Sequence, residues 1–319
     1  MSAPKEDALW SRASAWLKLA EVTSTSADSV DDPARGSANL PNYDLGLMGI
    51  PAHLTSISPT NAHTTPAAIR AALQRYSTYN WSTDTDVANL SFADFGDVSD
   101  PDTPAGEART SQLASAVAAR SGLALGLGGD NSVTFAMARG VFGSQVETAG
   151  LITLDAHHDL RDGISNGSPV RRLVDEIGLD GRRIVQIGIA DFSNSPAYAA
   201  RARELGIYVI PRSALRDRSM ADVMAEAVSI AGAAGGPIHV DFDVDVCDRS
   251  VVPACPAAAP GGISADEFRQ LAFEAGRYSQ VRSVDFTEID ASIDSADGRT
   301  VRLAALSILE LAAGRLSAV

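Results

Sequence analysis

The 319-residue chain holds only two cysteines, Cys247 and Cys255, and they are not in CxxC spacing. That argues against a disulfide framework and fits a reducing compartment, the cytoplasm. Positive charge is scarce as well. Lys and Arg number 26 against 40 Asp and Glu, for a net charge of −14, which argues against a nucleic-acid partner or an anionic membrane surface. No apolar run reaches the length of a membrane span. The N-terminus carries Glu6 and Asp7 early and has no continuous apolar stretch, unlike a secretory signal. The glycine-rich loop Gly126-Leu-Gly-Gly-Asp-Asn-Ser132 has neither the GxGxxG nor the GxxxxGK(S/T) order, so it makes a poor nucleotide site. What remains, 45% hydrophobic and 21% charged residues, is ordinary for a globular enzyme.

From Leu45 onward a rhythm of strands and helices begins. Apolar runs predict strands at 45–50, 90–95, 123–127, 150–155, 183–189, 207–210, 237–244 and 282–288. Helical patterns fall at 66–76, 107–121, 132–141, 196–205, 219–234, 264–276 and 299–315. Strands alternating with helices imply a mostly parallel sheet covered on both faces. No linker interrupts the rhythm, so residues 44–319 read as one domain behind an N-terminal extension, 1–43. In that extension Leu9, Trp10, Trp16 and Leu17 could line one face of a short helix, and Ser24 to Asn42 reads as loop.

Two segments carry chemistry. Gly150–Leu154 has the length of a buried strand and runs into Asp155, His157, His158 and Asp159. Ligands in open α/β sheets bind outside the carboxyl ends of strands, and an extended backbone would put positions 155, 157 and 159 on one face. In Pro237–Asp248, Asp241, Asp243 and Asp245 alternate with Phe242, Val244 and Val246. Three like charges on one strand face repel strongly at low dielectric unless cations neutralise them. Together the segments offer Asp155, His157, Asp159, Asp243 and Asp245, an oxygen-rich set with one imidazole that suits Mn²⁺. Asn131 is expected at the same sheet edge, with Ser132 a plausible helix N-cap. Glu288, at the end of the last strand, belongs there too. His53 and His63 are not expected to be ligands, and His239 reads as a satisfied core histidine.

These motifs resemble the ureohydrolase superfamily of arginases, agmatinases and formimidoylglutamases. The family pattern Gly-Gly-(Asp/Gly)-His appears as Gly128-Gly-Asp-Asn131, DAHxD as Asp155–Asp159, SxDxDxxDP as Asp241–Arg249, and the glutamate on the last strand as Glu288. The likeness runs from about Leu45 to about Leu311. It implies a three-layer α/β/α fold with an eight-stranded mostly parallel sheet and two Mn²⁺ ions per subunit. The metal ligands it implies are Asn131, Asp155, His157, Asp159, Asp243 and Asp245, with Asp155 and Asp243 bridging. It also implies attack by an activated water on a guanidino or formimidoyl carbon. Glu288 would hold the cationic amidine and Asp245 would shuttle the proton. Homo-trimers or hexamers are common in the family. Three departures stand out: Asn131 replaces the histidine, Asp241 the serine, and Arg249 the proline.

Within the family the closest likeness is to the formimidoylglutamase branch. Leu160-Arg161, the turn Gly167-Ser168-Pro169 with Arg171, and Gly188 to Tyr198 with Asn194 match its segments. Asn166 stands where arginases and agmatinases commonly have a histidine. Substrate contacts are therefore expected from Arg161, Ser168, Arg171 and Asn194, with Arg161, Arg171 or Arg172 clamping a substrate carboxylate. The expected reaction is hydrolysis of N-formimidoyl-L-glutamate to glutamate and formamide. A guanidino hydrolase releasing urea, and a metal-deficient, non-catalytic member, are the alternatives.

Overall fold

The computed structural model describes residue 7, residues 9–21 and residues 42–318. In chain order its elements are α1 (Ala13–Trp16), β1 (Lys18–Leu19), β2 (Tyr43–Ile50), α2 (Thr65–Ala72), β3 (Tyr79–Asn80), β4 (Thr85–Asp86), β5 (Phe92–Asp97), α3 (Pro104–Arg120), β6 (Ser121–Gly128) and α4 (Val133–Phe142). There follow β7 (Gly150–Leu154), α5 (Pro169–Ile177), β8 (Ile184–Ile189), α6 (Pro196–Glu204), β9 (Tyr208–Pro211), α7 (Met220–Ala231), β10 (Ile238–Asp243), α8 (Ala265–Arg277), β11 (Val281–Thr287) and α9 (Arg299–Leu316). All eight expected strands and seven expected helices form within a few residues of their expected bounds. The loop reading of Ser24 to Asn42 lies almost wholly outside the described residues.

The main sheet has nine strands rather than eight, in the order β1-β5-β2-β6-β11-β10-β7-β8-β9, every pair parallel. The ninth is β1. Two residues of the N-terminal extension pair with Ala93 and Asp94 at the sheet edge, too short a run for an alternation pattern to reveal. Leu9, expected on a helix face, is 98% exposed; only Ala13 and Trp16 of that segment are buried.

Alternation decides which helices cover which face. Ile152, Leu154, Val240, Phe242, Val284 and Phe286 point to one side, where Ile69 of α2, Val223 of α7, Phe268 of α8 and Leu311 of α9 close over them. Phe242 meets the ring of Phe268 edge-on at 5.3 Å. On the other face Leu151 and Ile184 pack beneath Phe135 of α4, Leu173 of α5 and Ala202 of α6, and Met48 and Ala124 beneath Val117 of α3 and Met137 of α4. Layers of helix, sheet and helix result, as expected. Local signals fix the helix ends. Ser264 and Glu267 form a reciprocal capping box at α8, worth about 1 kcal/mol. Gly178 ends α5 at φ 80°, a conformation that costs glycine nothing.

The strand order opens the site. Consecutive strands β6 and β7 are not neighbours, because β11 and β10 lie between them. Chains leaving β6 and β7 therefore diverge, and the crevice beyond the carboxyl ends of β6, β11, β10 and β7 is the switch point at which such sheets bind ligands.

Candidate metal centre

β7 ends at Leu154, one residue before the first carboxylate. The following chain is not extended: Asp159 has φ 52°, and the Asp155 Oδ1 accepts from the His157 amide at 2.6 Å. Asp155, His157 and Asp159 are gathered by a tight turn, not by the strand alternation that the sequence suggested. The same correction applies to β10. It ends at Asp243, and Val244–Val246 is a turn of 3₁₀ helix capped by the Asp243 carboxylate, which accepts from the Asp245 amide. That turn swings Asp245 back toward β7, where its Oδ1 accepts from the Ala156 amide at 2.9 Å. Its Oδ2 lies 2.7 Å from the His157 Nδ1, and the Asp155 Oδ1 lies 3.4 Å from the same nitrogen.

This half of the centre fits a divalent ion. One donor atom each from Asp155, His157 and Asp245 lie within 4.8 Å of one another. The Asp155 Oδ2 is buried without a hydrogen-bond partner, a costly arrangement that a cation would relieve. Two carboxylates and an imidazole are ligands that Mn²⁺ and similar metals accept. Burial alone would push the His157 imidazole down, but Asp245 and Asp155 beside it push it up to about 12. Burial, and then Asp245, raise Asp155 to about 7.

The other half is arranged differently. Asn131, expected among the ligands, turns its amide nitrogen to the centre and donates to the Asp159 Oδ2 at 2.6 Å. Its oxygen accepts from the Thr134 hydroxyl at 2.7 Å and so faces away from the carboxylates. Asp243 completes this half, 3% exposed. Burial, then the neighbouring carboxylates, hold Asp159 and Asp243 well above the usual carboxylate range. Ser132 does not cap α4 with its side chain; its hydroxyl donates to Asp130.

Glu288 lies at the rim with φ 62°. The Asn131 amide and the Asn166 side chain donate to its Oε1 at 2.8 and 2.9 Å. Burial, then Asp130, raise it to about 7. Two non-glycine residues in the left-handed region, Asp159 and Glu288, thus stand at one site, a pattern of strain typical of functional positions.

A cavity of about 350 Å³ opens from the centre, and His157, Asp159, Asn166, Asp243, Asp245 and Glu288 are on its wall. Of the expected substrate contacts, Arg161 also lines it, exposed and with no hydrogen bond or ion pair to its guanidinium among the described residues. The others have partners within the protein. Arg171 donates to the carbonyls of Arg161 and Gly163 and to Asp175, which makes it a strut for the loop. Arg172 is tied to Glu107 and Glu176. Ser168 is fully buried and bonded to Ser165. Asn194 lines the cavity, but its amide bridges the His158 amide and the Ala156 carbonyl. His239 is the core histidine expected, 2.7 Å from Ser283 and 3.2 Å from Asp285. His53 stacks on His63 and leans on Asp102.

Three contributors have roles that the sequence does not reveal. Thr134 orients Asn131. Gln186 on β8 holds both ends of His158, and so turns it out of the centre. Arg249, one of the three departures, gathers the carbonyls of Cys255, Pro256 and Ala258 around its Nη1 and thereby shapes the Pro/Gly-rich loop whose Ala257 reaches the cavity wall. No local pattern marks these roles, since each depends on a partner fixed only by the fold.

Comparison with known proteins agrees with this geometry. The chain is 35% identical over 279 residues to the formimidoylglutamase of Halalkalibacterium halodurans, covering 85% of this chain and 87% of that protein. It is 31% identical over 276 residues to the Bacillus subtilis formimidoylglutamase, covering 84% and 86%. The crystal structure of the Bacillus subtilis formimidoylglutamase superposes with a TM-score of 0.87 at 27% identity, over 99% of this chain and 95% of that one. The Arginase family profile matches residues 43–314, and with the fold and the acidic centre already in place, the chain belongs to the arginase family.

Proposed function

We propose that this chain is a metal-dependent formimidoylglutamase. It hydrolyses the amidine of N-formimidoyl-L-glutamate to L-glutamate and formamide, as histidine breakdown requires. The observation that carries the substrate is Arg161: of the three arginines suited to a carboxylate clamp, it lines the cavity with a guanidinium that has no partner among the described residues, whereas Arg171 and Arg172 are spent on the scaffold. The relatives named above carry the same activity in their names.

In the reaction water adds its oxygen to the formimidoyl carbon, the bond from that carbon to the glutamate nitrogen breaks, and the leaving nitrogen gains a proton. A bound divalent metal, Mn²⁺ by its ligands, supplies Lewis-acid activation of water near neutral pH. Asp155, His157 and Asp245 would hold one ion firmly; Asp159 and Asp243, with Asp155 shared, would hold a second more weakly beside Asn131. Asp245 would pass a proton to the leaving nitrogen. Glu288, steadied by Asn166 and the Asn131 amide, accepts from an amidinium N–H. Arg161 pairs with a carboxylate. The reading includes residues 44–319 as one catalytic domain, a cytoplasmic setting supported by the two free thiols, and a homo-oligomer, as the family resemblance implies.

The test loads the protein with Mn²⁺ and measures formamide from N-formimidoyl-L-glutamate beside urea from arginine, agmatine and 4-guanidinobutyrate. Formamide release should exceed urea release by orders of magnitude. A preference for any guanidino substrate would overturn the assignment, and failure to take up Mn²⁺ would favour a non-catalytic role.

A further inference from the structure

A second cavity, about 240 Å³, lies beside the first. Ser193 and Asp245 are on the walls of both, so these two side chains stand between the cavities beside the metal centre. Small residues, Ala156, Gly188, Ala190 and Gly262, are on the wall of the second. Between the two runs the loop shaped by Arg249: its Ala257 faces the first cavity, and its Ala259, Pro260, Gly261 and Gly262 face the second.

The charge in the second cavity is distinctive. Arg212 donates through Nε and Nη2 to the carbonyls of Gly261 and Gly262, leaving Nη1. Arg216, on the same 3₁₀ turn and its end, is exposed and makes no ion pair or hydrogen bond among the described residues. Two carboxylates share the wall, Asp191 at the outer side and Asp245 at the metal centre. Asp248 beside Gly261 faces Arg212, so Arg216 is the guanidinium with the most freedom to meet a ligand. This cavity therefore offers an anion a partner, as the first does through Arg161.

The substrate has the matching shape. In a formimidoyl amino dicarboxylate the carbon next to the reacting nitrogen is a branch point, from which a short arm ends in the α-carboxylate and a longer arm in the side-chain carboxylate. An unbranched guanidino acid has one arm only. Resting on the reading of the site as a formimidoylglutamase, we propose that the active site is forked. The long arm enters the larger cavity toward Arg161, and the α-carboxylate enters the smaller one toward Arg216 and Arg212. Arg216 is then a specificity residue for the branched dicarboxylate. A bidentate guanidinium–carboxylate contact gives such a residue its discrimination.

The test compares the Mn²⁺-loaded protein with Arg216→Ala and Arg161→Ala on three compounds: N-formimidoyl-L-glutamate, N-formimidoylglycine with the short arm alone, and 4-(formimidoylamino)butyrate with the long arm alone. Arg216→Ala should raise KM at least tenfold for the first two and leave the third unchanged. Arg161→Ala should do so for the first and third. In parallel, calorimetry reads the binding of L-glutamate, glycine and 4-aminobutyrate, the corresponding amines, and should show the same split without any turnover. Equal loss on all three compounds, or no loss with Arg216→Ala, overturns the fork. Absence of formamide from wild-type protein overturns the parent reading instead, and the binding of L-glutamate, which must still weaken with Arg216→Ala, decides the fork on its own.

Discussion

The two halves of the metal centre are built from the same kind of residue and come out opposite. Around Asp155, His157 and Asp245, donor atoms point at a common spot and one buried carboxylate oxygen has no protein partner. Around Asn131, Asp159 and Asp243, an amide N–H that no metal can use covers one Asp159 oxygen, and the amide oxygen that could serve as a ligand is held by Thr134. The closest side-chain contact of the first half, His157 to Asp245, is instead between two prospective ligands. A centre can therefore be acidic throughout and yet prepared for a cation on one side only. What separates the halves is the one position where an amide stands in place of an imidazole. An imidazole nitrogen has a lone pair to offer, whereas an amide must present the correct end.

The largest effect should come from breaking the prepared half. Asp245→Asn keeps the shape but removes a ligand charge and the proton carrier, so kcat should fall by roughly 10³-fold or more. Steady-state formamide release checks this; a loss below tenfold would mean that Asp245 has neither role. Converting the unprepared half is the next step down. Asn131→His should tighten the weaker Mn²⁺ by about 10–100-fold, the scale on which ligand-shell changes act, as read by Mn²⁺ titration with electron paramagnetic resonance. An unchanged affinity would show that position 131 does not face the ion.

The third contrast is in pH. In the folded chain without metal, Asp155 and Glu288 titrate near 7, against ordinary values of 3.8 and 4.5. Between about 4 and 7 these two carboxyls bind more protons in the folded chain than in the unfolded one, so their contribution to stability falls as pH rises through that window. His158, pushed down by burial, opposes them only in part, as one group against two. His157 does not reverse this. Its folded value near 12 lies above the ordinary 6.5, so its contribution is complete below 6.5 and fades only on the way to 12. Metal binds the deprotonated carboxylates, so its stabilisation grows over the same window. The metal-free Tm should drop by roughly 5 °C between pH 5 and 7.5 while the Mn²⁺-induced gain in Tm widens. A metal-free Tm that holds steady or climbs would contradict the burial of these carboxylates.

Sequence reading reached the two halves unequally, for a physical reason. The sheet strands announce themselves by apolar runs, and the carboxylates by their place at the ends of those runs, so Asp155, His157, Asp243 and Asp245 could be named before any coordinates. Their means of convergence could not. Alternation put Asp241, Asp243 and Asp245 on one strand face, but the Asp243 carboxylate caps a 3₁₀ turn that ends the strand early, and Asp241 stays buried beneath the centre within reach of the Thr287 hydroxyl at 3.3 Å. Residue type shows that Asn131 is unusual; it does not show which end of the amide faces inward. Nor does an arginine's presence show whether its guanidinium is free. Arg161 and Arg171 look alike in sequence, and only the carbonyls of Arg161 and Gly163, which trap Arg171, tell them apart.

The smallest effect is the sharpest test of the comparison. If the orientation of Asn131, rather than its chemistry alone, closes the second half, then loosening that orientation should open it partway. Thr134 is fully buried, and its hydroxyl donates to the Asn131 oxygen. Thr134→Val removes that hydroxyl with almost no change of shape. A neutral hydrogen bond is worth about 1 kcal/mol, so flipping the amide to present its oxygen becomes easier by that amount, and the weaker Mn²⁺ should bind roughly fivefold more tightly. The firm ion, which Thr134 does not touch, should bind as before. Folding stability should fall by a similar 1 kcal/mol, because the Asn131 oxygen loses a buried partner. If the weaker Mn²⁺ binds no better while stability falls as expected, the amide end is not the barrier. Asn131 would then limit the second half only by lacking an imidazole lone pair, and Asn131→His would be the sole way to open it.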